Sequence, residues 1–240
     1  MSQPILIFDI WGDYAHFKKI YATTSAVSYA IPPKTSLYGY LGAILGLPKA
    51  SNAYLTAFAK KQCRLGISVL NPIIMKRLGT NLRPNLNRTS DNPKPTLTEY
   101  VYQPKYRLYV SHEDSSLYNE LRAALKAHRS VFTPSLGQAS LISNFEWIGE
   151  VEADSIRPTK ALPIHSVIPR RFLIELDAMA LQTGEFELVE QSLYALEMDT
   201  EREVTERDDI LLNRKGEKGS PIPALVTEYY AINDANVILF

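Results

Sequence analysis

The segment from Ile31 to Leu47, IPPKTSLYGYLGAILGL, constrains this chain more than any other. Pro32 and Pro33 end any preceding element and favour an extended entry. Thr35 or Ser36 can cap a helix by accepting a hydrogen bond from an early backbone N–H. Leu37, Leu41, Ile44 and Leu45 then recur at i, i+4, i+7 and i+8, the spacing of one apolar helix stripe. Gly39, Gly42 and Gly46 form a second stripe. Each interior glycine costs about 1 kcal/mol relative to alanine, so a close neighbour is expected along that side. Lys34 stands at the helix start, where free N–H groups and the helix dipole favour an anion such as phosphate.

At 240 residues the chain has length for one large or two small domains with a real core. The single cysteine, Cys63, excludes an internal disulfide and an all-cysteine metal site, and fits a reducing cytoplasm. The opening MSQPILIFDIWGD has neither the basic start nor the cleavage pattern of a signal peptide. No apolar run reaches the roughly 18 residues of a membrane span, so no membrane is expected as a partner.

The zero net charge conceals an internal polarity. Residues 60–109 hold ten Lys/Arg against two Asp/Glu, a balance of +8. Residues 150–209 hold six against fifteen, a balance of −9. Such asymmetry marks a polyanion-facing region, or two halves that neutralise each other. The basic part also carries aromatics: Tyr100, Tyr102, Tyr106 and Tyr109 interleave with Lys105 and Arg107. Tyrosines can stack unpaired bases while Lys and Arg hold phosphates; the alternative is a tyrosine-rich strand packed on a helix.

Residues 4–11, 64–75, 99–111 and 139–150 read as strands, and the glycine-bearing stretch after Pro33, 53–62 and 115–129 as helices. Residues 76–98 are polar and basic with three prolines, and read as a long loop or a protruding hairpin arm. The order strand, helix, strand, strand, helix, strand is the ferredoxin-like plan, whose open sheet face often serves as an RNA platform. The expected class is α+β, with a ferredoxin-like, RRM-like domain over 1–150 and a smaller antiparallel β-rich subdomain over 151–240. In the latter, 161–168, 171–177, 185–194 and 226–239 read as strands and 197–220 as a charged loop.

No Walker loop, dinucleotide fingerprint or nucleophile elbow is present. His16, His112, His128 and His165 are scattered without an acid at ligand spacing, and the acidic run EMDTEREVTERDD reads as solvated surface, so no metal or other cofactor is expected. Metal-free RNA cleavage needs a base, an acid and a cation on the phosphate, which Tyr29, Lys126 and His128 could supply. Against this, His128 falls on the apolar side of its expected helix, where packing is its commoner role.

The strand ILIFDIWGDYAHFKK, the following TTSAVSYAIPPKTSLYGYLGAILGLP, the basic arm, the YRLYV strand and the TPSLGQA turn together resemble one family. It is the fifth family of CRISPR-associated RAMP proteins, the Cascade subunit that caps the 5′ handle of CRISPR RNA (crRNA), and the type I-B branch is nearest. The pattern Pro-Pro-Lys-Thr-x-x-x-Gly-x-x-Gly-Ala-x-x-Gly is its most specific part, and the match covers roughly residues 3–150. The resemblance implies a RAMP domain whose arm, matched by residues 76–98, presses on the crRNA. It implies the crRNA 5′ handle, the Cascade backbone subunit and the Cascade large subunit as partners, with target DNA reached through the complex.

RNA phosphates are assigned to Lys18, Lys19, Lys34, Lys76, Arg77, Arg83, Arg88 and Lys94, with Thr35 beside Lys34. Tyr29 and Tyr38 are assigned to base or sugar contacts. In one branch of the family the protein itself cleaves precursor RNA with Tyr, Lys and an adjacent His. Here Lys126-Ala-His128 is the nearest substitute, so a non-catalytic scaffold is expected, with an endoribonuclease as the alternative. An interaction module without RNA contact is the third reading.

Overall fold

The structure, a computed structural model, describes residues 2–19, 26–59, 62–82 and 94–240. The eight longer strands are β1 (Gln3–Gly12), β2 (Cys63–Val69), β3 (Ile74–Leu82), β4 (Lys94–Tyr102), β5 (Lys105–His112), β6 (Ser143–Ala153), β7 (Leu188–Met198) and β8 (Val204–Asn213). The α-helices among the described residues are α1 (Lys34–Leu45), α2 (Ala53–Ala57), α3 (Ser115–Lys126) and α4 (Ala178–Thr183). The fold is mixed, with strands dominant.

The run PILIFDIW forms β1, buried without a break from Ile5 to Ile10. Such a run marks a strand covered on both faces. β1 lies inside an antiparallel sheet of order β2-β5-β1-β6, with Leu6 opposite Val110 and Glu150. Leu6, Phe8 and Ile10 join Leu37, Leu41, Leu121 and Leu125 of α1 and α3 in the main core. On the other face Ile5, Ile7 and Tyr109 pack against Tyr230, Ile232, Val237 and Leu239. The sheet face expected to stand open is therefore covered by the C-terminal strands Tyr229–Ile232 and Ala235–Val237.

Helix α1 keeps the expected apolar stripe, with Leu37, Leu41 and Ile44 buried. Its start differs. Neither Thr35 nor Ser36 caps it; Pro33 is the N-cap, and its carbonyl accepts from Ser36 N and Leu37 N. Gly46 ends the helix at φ 75, with Leu47 N donating to Gly42 O. Asp114 caps α3 by accepting from Ser116 N and Leu117 N, and Tyr118, Leu121, Ala124 and Leu125 form its buried face. His128 lies beyond this helix at φ 49.

Three other sequence expectations are corrected. The strand over 64–75 divides into β2 and β3, and that over 99–111 divides at Gln103 (φ 47) and Pro104 into β4 and β5. The charged segment 197–220 contains β8, because its charged residues share a strand with the buried Ile210 and Leu212. Strand β6 runs across the 150/151 boundary, and one core cluster joins Leu41 and Leu121 to Tyr194, Ile210 and Phe240. Leu65 and Phe240 exchange both backbone hydrogen bonds.

Within residues 76–98, β3 and β4 form an antiparallel pair from Ile74↔Tyr102 to Leu82↔Lys94. The short strand Tyr14–Ala15 adds to the other edge of β4, opposite Tyr102 and Val101. Residues 83–93, with Arg83 and Arg88, lie outside the described residues.

Candidate functional site

The sequence places a phosphate contact at the N-terminus of α1, but the structure closes that position. Lys34 is 1% exposed, and its Nζ lies 3.0 Å from Glu197 Oε1 on β7. The Tyr38 hydroxyl donates to the same oxygen at 2.8 Å. Burial and the neighbouring carboxylate push the Tyr38 phenol well above the ordinary tyrosine range, so it stays a donor. The Tyr29 hydroxyl donates to Leu193 O at 2.8 Å, and the Tyr194 hydroxyl to Pro32 O at 2.6 Å. Tyr29, Lys34, Thr35 and Tyr38 are thus buried, and Tyr29, Lys34 and Tyr38 tie the α1 region to β7. This corrects the assignment of Tyr29, Lys34 and Tyr38 to RNA: a buried ammonium needs a partner, and here a carboxylate takes that place.

Other predicted residues do reach the surface. Tyr14, β4 and β3 build a three-stranded sheet on which Lys76 Nζ sits 3.1 Å from the Tyr102 ring centroid. The Tyr14 ring lies 5.4 Å from Tyr102 and 5.9 Å from Tyr100. Arg77 on the opposite face has a 68% exposed side chain, with Nε 3.5 Å from Glu99 Oε2. Lys18 is exposed beside this sheet, because Phe17–Lys18 pairs with Ser28–Tyr29 and Ser28 N donates to Glu99 Oε1. Lys19 Nζ stands 5.5 Å from the Tyr29 ring centroid. Lys94 opens β4, and its side chain lies outside the described residues.

The β5 residues behave differently from their sequence reading. Tyr106 and Tyr109 are both buried, in the two clusters on opposite faces of the sheet. Arg107 grips the buried Asp9 through Nε at 2.7 Å and Nη2 at 3.0 Å, with Lys105 at 3.6 Å from the same carboxylate. Their charge is spent on β1.

Of the possible cleavage group, Lys126 Nζ lies 5.0 Å over the Trp147 ring and 3.9 Å from Glu150, and the His128 ring stacks on Phe145 at 4.8 Å. Those contacts are with β6, whereas the Tyr29 hydroxyl is engaged by β7. No cluster of three or more His, Cys, Asp or Glu able to hold a metal is found among the described residues. No helix among them is long and apolar enough to cross a membrane.

One feature escaped the sequence reading. A cavity of about 540 Å³ opens between α1 and the turn after α3, lined in part by Thr35, Gly39, Tyr54, Phe132, Ser135 and Arg202. Its signals were the glycine stripe and the TPSLG turn, which the fold brings to one place. Gly137 of that turn has φ 95, and a Cβ there would stand 1.9 Å from His16 O.

A search of curated proteins finds no match. Among solved structures, a CRISPR protein from Archaeoglobus fulgidus superposes with a TM-score of 0.51 at 15% identity, over 98% of each chain. A chain titled as part of a CRISPR RNA-guided surveillance complex gives 0.49 at 11% identity, over 91% of each chain. The family model described as CRISPR-associated protein (Cas_Cas5) matches residues 5–210. Covering β1 through most of β8, that match establishes that the chain belongs to the CRISPR-associated Cas5 family.

Proposed function

We propose that this Cas5-family chain is a non-catalytic subunit of a type I CRISPR effector complex, Cascade, that binds and caps the 5′ handle of crRNA. In this reading it docks the backbone and large subunits, works in the cytoplasm, and meets target DNA through the complex. The observation that carries the proposal is the tyrosine–lysine face of the β3–β4 hairpin, where Lys76 lies over Tyr102 and Tyr14 stands beside Tyr102. Such a face offers rings for unpaired bases and cations for phosphates. The sheet order β2-β5-β1-β6 with α1 and α3 as crossovers is the order of the split βαβ plan, which supports a ferredoxin-like RAMP domain with that hairpin as its arm. The burial of Tyr29, with its hydroxyl on main-chain carbonyls, supports the non-catalytic part.

The test incubates the full chain with labelled precursor crRNA in EDTA across a salt series. The expected result is intact bound RNA. Lys76→Ser with Arg77→Ser should lower the salt slope by about 1.4, the contribution of two single-strand phosphate contacts. Site-specific cleavage that disappears in His128→Ala would establish the endoribonuclease reading instead. Binding unchanged by the two serines would remove the hairpin from the interface.

A further inference from the structure

We propose that the cavity between α1 and the turn at residues 132–137 is a pocket for one flipped-out nucleotide of single-stranded RNA. The inference rests on the RNA-binding reading above and deepens it. It begins with the three glycines of α1. Gly42 is required by packing, because a Cβ there would stand 2.7 Å from Tyr54 Cβ. Gly46 is required by conformation, at φ 75. Gly39 is required by neither. A Cβ on Gly39 would meet nothing nearer than Tyr54 Cε2 at 3.9 Å, an ordinary contact. Alanine would fit and would suit a helix interior better than glycine does. What the missing side chain does is keep the cavity open, for Gly39 lines it.

The lining matches a nucleotide in each of its parts. The volume of about 540 Å³ falls in the range of small-ligand sites. Tyr54 and Phe132 present aromatic rings for a base, and Lys49 and Arg202 present cations for a phosphate. No carboxylate lines the cavity among the described residues. Thr35 is buried at the wall, and its hydroxyl carries a donor and an acceptor that suit a sugar or base edge. Phe132 is 53% exposed although its backbone is held in place, with its N–H on Ala43 O at 2.9 Å. A fixed main chain with an exposed ring at the rim is the geometry of a stacking platform.

The test uses the full chain and a fluorescein-labelled, randomised single-stranded RNA of about 12 nucleotides containing 4-thiouridine. Ultraviolet cross-linking followed by peptide mapping should place adducts on Tyr54 or Phe132. Gly39→Leu, which fills the cavity, should weaken RNA binding about fivefold or more. Phe132→Ser, at an exposed position that does not threaten folding, should do the same. If both variants bind like wild type and no adduct maps to the pocket, while Lys76→Ser with Arg77→Ser weakens binding, the pocket falls and the RNA-binding reading stands. If wild type binds no RNA, both fall. If RNA binding is untouched but Gly39→Leu fails to assemble with co-expressed Cascade subunits, the occupant is a partner protein and the proposal is overturned.

Discussion

Replacing Lys34 by methionine separates the structural role of this residue from the RNA contact that its sequence position implies. Methionine keeps much of the apolar stem and removes the charge. Glu197 then loses the Lys34 ammonium 3.0 Å from its Oε1, while the Tyr38 hydroxyl stays at 2.8 Å. Stripping one partner from a buried pair costs about 3–5 kcal/mol. Such a loss lowers the melting midpoint of a chain this size by roughly 6–20 °C.

Urea unfolding at pH 7, with the slope m checked for constancy, measures this loss. Adding Glu197→Gln removes the carboxylate that faced Lys34 and should recover part of the loss. A Lys34→Met protein that unfolds within about 0.5 kcal/mol of wild type but no longer binds RNA would refute the buried pair.

Gly137→Ala should cost more than about 2 kcal/mol, because φ 95 is strained for a side chain and its Cβ would stand 1.9 Å from His16 O. Gly39→Ala should instead leave stability unchanged or raise it by up to about 1 kcal/mol, and equal losses at the two positions would refute the distinction. Burial pushes the Cys63 thiol up to about 12, so iodoacetamide at pH 8 should leave the native protein unlabelled and label it in urea. Stoichiometric labelling of the native chain would show Cys63 accessible.

What the sequence revealed followed from period and punctuation. The unbroken apolar run of β1 and the stripe of α1 both produced the elements they announce. Local signals failed where two patterns overlapped. In β8 the charges of TERDD masked a strand whose Ile210 and Leu212 are buried. At Gln103 a left-handed residue divided one tyrosine-rich run into strands of different sheets. At the site, Lys18 and Arg77 reach the surface, with Lys19 and Lys76 partly exposed beside them. Tyr29, Lys34 and Tyr38 do not, since β7 lies more than 150 residues away and supplies their partners.

The sequence alone determined the family, because the Pro-Pro-Lys-Thr and glycine pattern is written in consecutive residues. It also determined which stretches bury an apolar face, because helix and strand periods are local. Only the tertiary structure decided what each face meets. It assigned Lys34 to Glu197, covered the second face of the sheet with residues 229–239, and set Gly42 against Tyr54 while leaving Gly39 at an open cavity. The physical reason is that periodicity records burial but not its partner. Ion pairing and close packing are made between residues far apart in the chain, and no spacing along it encodes which charge or ring arrives.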